Sequence, residues 1–320
     1  MKVVITDAEY PDLDIERSIL EPAGFTLELA HCRTPEDVIQ AGRDAVAFLV
    51  QYASVTRQVF DALPNLRIVS RYGVGVDTID LEAAREHGVW VANVPDYGTM
   101  EVATHAMGMI LAMIRHLPFY DQLVKDKRWH YLATGPLHRP GTLTLGIVGV
   151  GRIGGTVARL AQPYFQHVLG CDPYLPEDAW PEGVEQVDLE TLFQRSHVVS
   201  LHVPLTDETY HMVTRRLLEQ MPRGGYLVNT ARGSVVQLDD LLEALNSGQL
   251  AGAALDVLPQ EPPPPDHPIL SHPKVLLSPH AAFFSVEAEQ ELRRKAAYNI
   301  VAWAREGRPP YVVVEGRDAR

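Results

Sequence analysis

Apolar residues along the first hundred positions keep two rhythms in turn. Residues 3–6, 25–30, 45–50, 67–70 and 89–93 read as short strands, while residues 13–22 and 81–87 carry helical spacing. Strands alternating with helices predict a parallel sheet with crossover connections. Residues 99–116 then read as one long helix, apolar on almost every face through Val102, Ala103, Ala106, Met107, Met109, Ile110, Leu111, Met113 and Ile114. Such a helix is buried, here between domains or between subunits. Residues 118–141, with Trp129, His130 and Tyr131, read as an irregular excursion.

A second alternating series follows. Its strands are predicted at 144–149, 167–171, 198–201, 225–229, 251–255 and 275–277, and its helices at 152–164, 189–195, 215–221 and 238–247. Four consecutive prolines at 262–265 must be loop. Residues 285–305 return to helical spacing, with Leu292, Ala296, Ile300 and Trp303 on one stripe. The fold class is therefore α/β, with two doubly wound parallel-sheet domains. The C-terminal helix is free to pack back on the first series. That predicts a discontinuous domain of residues 1–98 and 286–320 holding the substrate and catalytic duties, with residues 99–285 inserted into it. A length of 320 residues suits about two domains.

One loop in the second series carries chemistry. Gly149-Val150-Gly151-Arg152-Ile153-Gly154 is a G-x-G-x-x-G that follows an apolar strand and opens a helix, and Asp172 stands at the end of the next strand. This is the dinucleotide fingerprint. The first glycine permits the tight turn, the second lets the backbone approach a pyrophosphate, and the third lets helix and strand pack. Phosphates then meet free N–H groups at a helix N-terminus. Asp172 would accept from the ribose hydroxyls and repel a 2′-phosphate, which favours NAD over NADP.

Composition narrows the partners. Charged residues are 22% of the chain and the formal charge is −13. Such acidity argues against a nucleic-acid binder. Two cysteines, Cys32 and Cys171, cannot build a disulfide framework or a four-thiolate zinc site, so both are expected reduced and buried, and no metal is expected. The N-terminus lacks a signal-peptide pattern, and no apolar run is long enough to span a membrane. The expected compartment is the cytoplasm.

Three more strands end in isolated polar groups. Asn229-Thr230-Ala231-Arg232-Gly233, Asp256-Val257-Leu258-Pro259-Gln260-Glu261-Pro262 and Ser278-Pro279-His280-Ala281-Ala282 each follow an apolar run. In open parallel sheets, ligands bind beyond the carboxyl ends of the strands. Arg232, Glu261 and His280 are all placed to reach that edge.

With these segments, and with His202-Val203-Pro204-Leu205-Thr206-Asp207-Glu208-Thr209, the chain resembles the D-isomer-specific 2-hydroxyacid dehydrogenases over nearly its whole length. The resemblance implies a Rossmann NAD-binding domain inserted into a flavodoxin-like catalytic domain. It implies interconversion of a D-2-hydroxy acid and its 2-keto acid by hydride transfer. Arg232 would bind the substrate carboxylate, His280 would be the general acid and base, and Glu261 would hydrogen-bond His280 and stabilise its protonated form. Gly149, Gly151, Arg152, Ile153, Gly154, Asp172, His202, Val203, Pro204, Thr209, Thr230, Ala231, Asp256 and His280 would hold NAD. Val74 and Gly75, in Arg71-Tyr72-Gly73-Val74-Gly75-Val76-Asp77, would offer backbone N–H groups to the substrate. A homodimer is implied, built around the long apolar helix.

The chemistry suits these residue types. Imidazole titrates near neutrality, a neighbouring carboxylate stabilises imidazolium, and guanidinium forks onto a carboxylate. Two departures stand out. Thr78 replaces the family's frequent Asn, at a position expected to be structural. Phe283 stands where C-terminal-binding proteins usually carry Trp, and would line the substrate site or pack in the core. The chain also ends at Arg320, leaving no room for the regulatory domain of long phosphoglycerate dehydrogenases. The resemblance to C-terminal-binding proteins leaves a second function open, an NAD-sensing binding protein with little turnover. Formate dehydrogenases are a third, but they carry Gln where this chain has Glu261.

Overall fold

The computed structural model describes residues 1–317. The last three positions of the predicted C-terminal segment, 318–320, lie outside the described residues. The chain divides into two compact units, Met1–Gly98 with Ser285–Arg320, and Thr99–Phe284.

The first unit runs β1 (Lys2–Ile5), α1 (Asp14–Leu20), β2 (Thr26–Leu29), α2 (Pro35–Gly42), β3 (Ala45–Val50), α3 (Arg57–Ala62), β4 (Ile68–Arg71), α4 (Leu81–His87) and β5 (Trp90–Ala92). Its sheet order is β2-β1-β3-β4-β5, the flavodoxin-like winding, and these five strands are parallel. The core includes Val4, Phe48, Val50, Phe60, Val69 and Val91. Asp80 caps α4 by accepting the Ala83 N–H at 2.9 Å, and Gly88 closes it in the left-handed region.

The second unit runs α5 (Thr99–Ile114), α6 (Leu117–Lys125), β6 (Thr144–Val148), α7 (Arg152–Ala161), β7 (His167–Cys171), β8 (Val184–Gln186), α8 (Leu189–Arg195), β9 (Val198–Leu201), α9 (Arg215–Leu218), β10 (Gly225–Asn229), α10 (Leu238–Asn246), β11 (Leu250–Leu255) and β12 (Val275–Leu277). Its seven strands are all parallel, in the order β12-β11-β10-β9-β6-β7-β8. The winding reverses between β6 and β9, a topological switch point. α5 and α7 cover one face of the sheet, and α8, α9 and α10 cover the other. The chain then returns to the first unit as α11 (Val286–Glu306), which Ser285 caps through the Ala288 N–H, and as β13 (Val312–Val314).

The structure adds α2, α3 and β8, which the pattern did not predict, and departs from the sequence-based expectation at four further places. The apolar faces of α5 are buried within its own unit, against α7, β10 and β11, so its apolarity needs no subunit partner. The excursion begins with an ordered helix, α6. His116 takes a left-handed backbone that stops α5, and Pro118 starts the next helix. β13 adds an antiparallel edge to the first sheet, against β5. Both cysteines are free, but Cys171 is only half-buried because it ends β7. Among the described residues no helix is long and apolar enough to cross a membrane.

Candidate active site

In the second unit, six of the seven parallel strands deliver loops to one edge of the sheet, and the predicted residues stand on those loops. Gly149–Gly154 follows β6, Asp172 follows β7, and His202, Val203, Pro204 and Thr209 follow β9. Thr230, Ala231 and Arg232 follow β10, Asp256 and Glu261 follow β11, and His280 follows β12. Parallel pairing explains this gathering, since every strand ends on the same side.

The glycine loop has the shape a dinucleotide requires. Gly149 has φ +85°, and a Cβ there would lie 2.7 Å from the His202 carbonyl oxygen. A Cβ on Gly154 would lie 1.9 Å from the Gly149 oxygen, so only glycine lets α7 start this close. Gly151, which caps α7, has open space where a Cβ would stand, and no side chain caps its first turn. The leading N–H groups of a helix lack intrahelical partners. A phosphate can therefore approach Gly151, Arg152 and Ile153. Asp172 accepts the Val150 N–H at 2.9 Å and the Tyr174 N–H at 3.0 Å, which ties it to the glycine loop. Its carboxylate keeps lone pairs for further donors. Thr230 is buried, and its Oγ1 has no partner among the described residues. An open cradle, an acidic strand end and an orphaned hydroxyl all fit NAD.

Two of the predicted cofactor residues have duties within their own loop. Thr209 Oγ1 donates to the Pro204 carbonyl at 2.6 Å and accepts the Thr206 N–H, which holds that turn together. Burial pushes the His202 imidazole down to about 4, so it stays neutral beside Ser200 Oγ at 2.9 Å.

Arg232, Glu261 and His280 come together through packing of their loops. The buried Asn229 side chain accepts the Ala231 N–H and donates to the Arg232 carbonyl, which shapes the Arg232 turn. A Cβ on Gly233 would lie 2.0 Å from the Leu258 backbone, so this turn rests directly on the Glu261 loop. Glu261 Oε1 accepts the Leu258 N–H at 2.9 Å, and Oε2 lies 2.6 Å from His280 Nδ1. Burial pushes the Glu261 carboxyl up. The His280 bond and charge, the Leu258 N–H and the Arg232 charge outweigh that and hold it below the usual carboxylate range. A carboxylate can only accept, so Nδ1 carries a hydrogen. Nε2 is then the nitrogen that can gain and lose a proton. The Phe283 ring stands edge-on to His280 at 6.4 Å.

In the first unit, Val74 and Gly75 lie in an irregular loop after β4. The Val74 carbonyl accepts from Asn93 Nδ2 at 2.7 Å, and Val74 is exposed. Gly73 has φ +141°, with the Arg71 guanidinium where a side chain would stand. Sequence reasoning missed Asp7 at the end of β1. Its carboxylate accepts the N–H groups of Gln51, Tyr52 and Ala53, which organises the loop after β3. An acidic residue ending an apolar strand was the only signal for it.

Residues 107–282 match the family model described as D-isomer specific 2-hydroxyacid dehydrogenase, NAD binding domain. The chain is 43% identical over 264 residues to a glyoxylate reductase of Korarchaeum cryptofilum, covering 81% of this chain and 79% of that one. It superposes on an Aquifex aeolicus D-lactate dehydrogenase solved with NAD and lactic acid, with TM-score 0.88, 25% identity and coverage of 99% and 100%. A Sinorhizobium meliloti NADPH-dependent glyoxylate/hydroxypyruvate reductase, solved with NADP and malonate, gives 0.87 at 30% identity and coverage of 100% and 99%. With a fingerprint loop shaped for NAD and relatives that are dehydrogenases and reductases over most of the chain, this protein belongs to the D-isomer-specific 2-hydroxyacid dehydrogenases and is an NAD-dependent oxidoreductase of 2-hydroxy acids.

Proposed function

We propose that the protein reduces a short 2-keto acid to its D-2-hydroxy acid, and catalyses the reverse, with His280 moving the proton. The observation that carries this reading is the 2.6 Å bond between His280 Nδ1 and Glu261 Oε2, with Arg232 near enough to bias the same carboxyl. The bound nicotinamide supplies or accepts the hydride. His280 Nε2 gives a proton to the oxygen that becomes a hydroxyl, and takes it back in the oxidation. Glu261 offsets the positive charge on the ring in its protonated form. Arg232 forks onto the substrate carboxylate and turns the carbonyl toward His280. Phe283, whose ring stands edge-on to His280, lies against the substrate's substituent. Glyoxylate and hydroxypyruvate reductases among the relatives support a small substrate.

Purified protein is expected to consume NADH with at least one of glyoxylate, hydroxypyruvate and pyruvate. NADPH run in parallel should give a lower kcat/KM, because Asp172 disfavours a 2′-phosphate. Cofactor binding with no turnover on the panel would instead favour a binding protein. Much higher efficiency with NADPH would refute the role given to Asp172.

A cytoplasmic homodimer completes the proposal. Trp129 is 89% exposed, and Tyr131, Leu132, Leu117 and Val124 are also exposed around α6 and the loop after it. An apolar surface of this kind marks an interaction site. Arg115, Lys125, Lys127, Arg128 and Arg139 make this stretch basic in an acidic chain, which favours a second copy as occupant. Light scattering at micromolar concentration should give twice the chain mass, and Trp129→Asp should lower it. A stable monomer in the unsubstituted protein would refute the dimer.

A further inference from the structure

His105 and Ser278 have no part in the chemistry above, yet they adjoin a buried carboxylate. His105, on α5, places Nε2 3.0 Å from Ser278 Oγ and 3.8 Å from Asp256 Oδ1. Ser278 Oγ donates to Asp256 Oδ1. A hydroxyl has one hydrogen and a carboxylate has none to give. Ser278 therefore spends its proton on Asp256, and its contact with His105 requires a hydrogen on His105 Nε2. The chain of donation has one direction, from His105 to Ser278 to Asp256.

Asp256 is 2% exposed, and the loop after β12 hangs on it. Its Oδ1 accepts the Ala281 N–H at 2.9 Å, its Oδ2 the Ala282 N–H at 3.0 Å, and its backbone carbonyl the His280 N–H at 2.8 Å. His280 itself has φ +53°. A non-glycine residue keeps that backbone only where its surroundings over-determine it. Removing the donor behind Ser278 frees the hydroxyl to rotate away. The buried carboxylate then loses one of the three donors to its side chain and turns to replace it, carrying the N–H groups of Ala281 and Ala282 with it.

We propose that His105, acting through Ser278 and Asp256, is a positioning residue for His280. The proposal rests on the reading of His280 as the proton carrier. It extends the site to a helix that contributes no group to the fingerprint or to the reacting atoms.

The test compares His105→Phe, His105→Gln, Ser278→Ala and the Phe/Ala double variant in the full chain. Four quantities are read: kcat, KM for the keto acid, NADH affinity by fluorescence, and the rate ratio with NADH deuterated at C4. The buried Asp256 carboxylate is taken up by Ser278, Ala281 and Ala282, and is not turned to the cofactor as the family resemblance implies. His105→Phe is expected to lower kcat ~10-fold and, with Asp256 so placed, to leave NADH affinity within about twofold. It should also raise the deuterium effect, because the chemical step has become slower. His105→Gln, whose amide can donate from the same place, should recover most of the loss. The double variant should lose no more than the worse single, since both cut one chain. If His105→Phe does not fold, Ser278→Ala carries the same prediction. A His105→Phe enzyme with unchanged kcat overturns the proposal and leaves the role of His280 standing. Loss of NADH affinity with an unchanged deuterium effect also overturns it. Full turnover in a His280→Ala enzyme refutes the reading of His280, and the proposal falls with it.

Discussion

Replacing His280 by alanine is expected to lower kcat for keto-acid reduction by ~10²–10⁴-fold, the usual contribution of a positioned acid–base group. NADH affinity should change little. The loop around His280 is held by the Asp256 carboxylate on the Ala281 and Ala282 N–H groups and by the His280 N–H on the Asp256 carbonyl. Each of these bonds survives the substitution. The measurement is a steady-state assay with NADH and the best keto acid, beside a fluorescence titration of NADH. Unchanged turnover would remove His280 from the proton path. Equal losses of turnover and NADH binding would show that the imidazole supports the cofactor loop and not the proton.

Arg293→Met is expected to destabilise the first unit by ~3–5 kcal/mol, the cost of leaving a buried charge without its partner. Arg293 is 2% exposed and Glu16 is 0% exposed. The guanidinium grips Glu16 with Nε at 2.9 Å and Nη2 at 2.8 Å, and Nη2 also reaches the Asp12 carbonyl and carboxylate. The Tyr10 ring stands 4.7 Å from its centre, and the Tyr72 hydroxyl donates to Glu16. Burial works against the Arg293 charge. The bonds to Glu16 and Asp12 outweigh it and carry its pKa above the ordinary arginine value. Without Arg293, Glu16 keeps the Tyr72 donor but loses the cation that grips it among the described residues. Thermal unfolding followed by circular dichroism should show the loss. Replacing both residues together, as Glu16→Leu with Arg293→Leu, should recover most of it, because no charge is then left buried. A single variant as stable as the parent would show that the ion pair does not hold α1 to α11.

These two sites differ in how far the sequence exposed them. The glycine loop, Asp172, Arg232, Glu261 and His280 were legible because each sits a fixed few residues beyond an apolar run. A parallel sheet sends all such positions to one edge. Glu16 and Arg293 were not, since they lie 277 residues apart and each reads as one more charge on an amphipathic helix. Asp7 was half legible, as an acidic strand end whose three backbone donors come from a different loop. The apolarity of α5 was read correctly as burial but assigned the wrong cover. A hydrophobic stripe states that something packs on it and not what does.

The sequence by itself determined the alternating parallel α/β character of the two units, the fingerprint and the order of the three polar groups along the chain. These follow from local spacing, from the turn freedom of glycine and from the right-handed crossover that joins parallel strands. Only the tertiary structure decided that β13 closes the first sheet antiparallel to β5, and that α11 locks onto α1 through a buried ion pair. It alone made Asp256 the anchor of the His280 loop. Each of these depends on which distant groups meet in a low-dielectric interior, where an unpaired donor or charge is costly and the partner that relieves it need not be near in sequence.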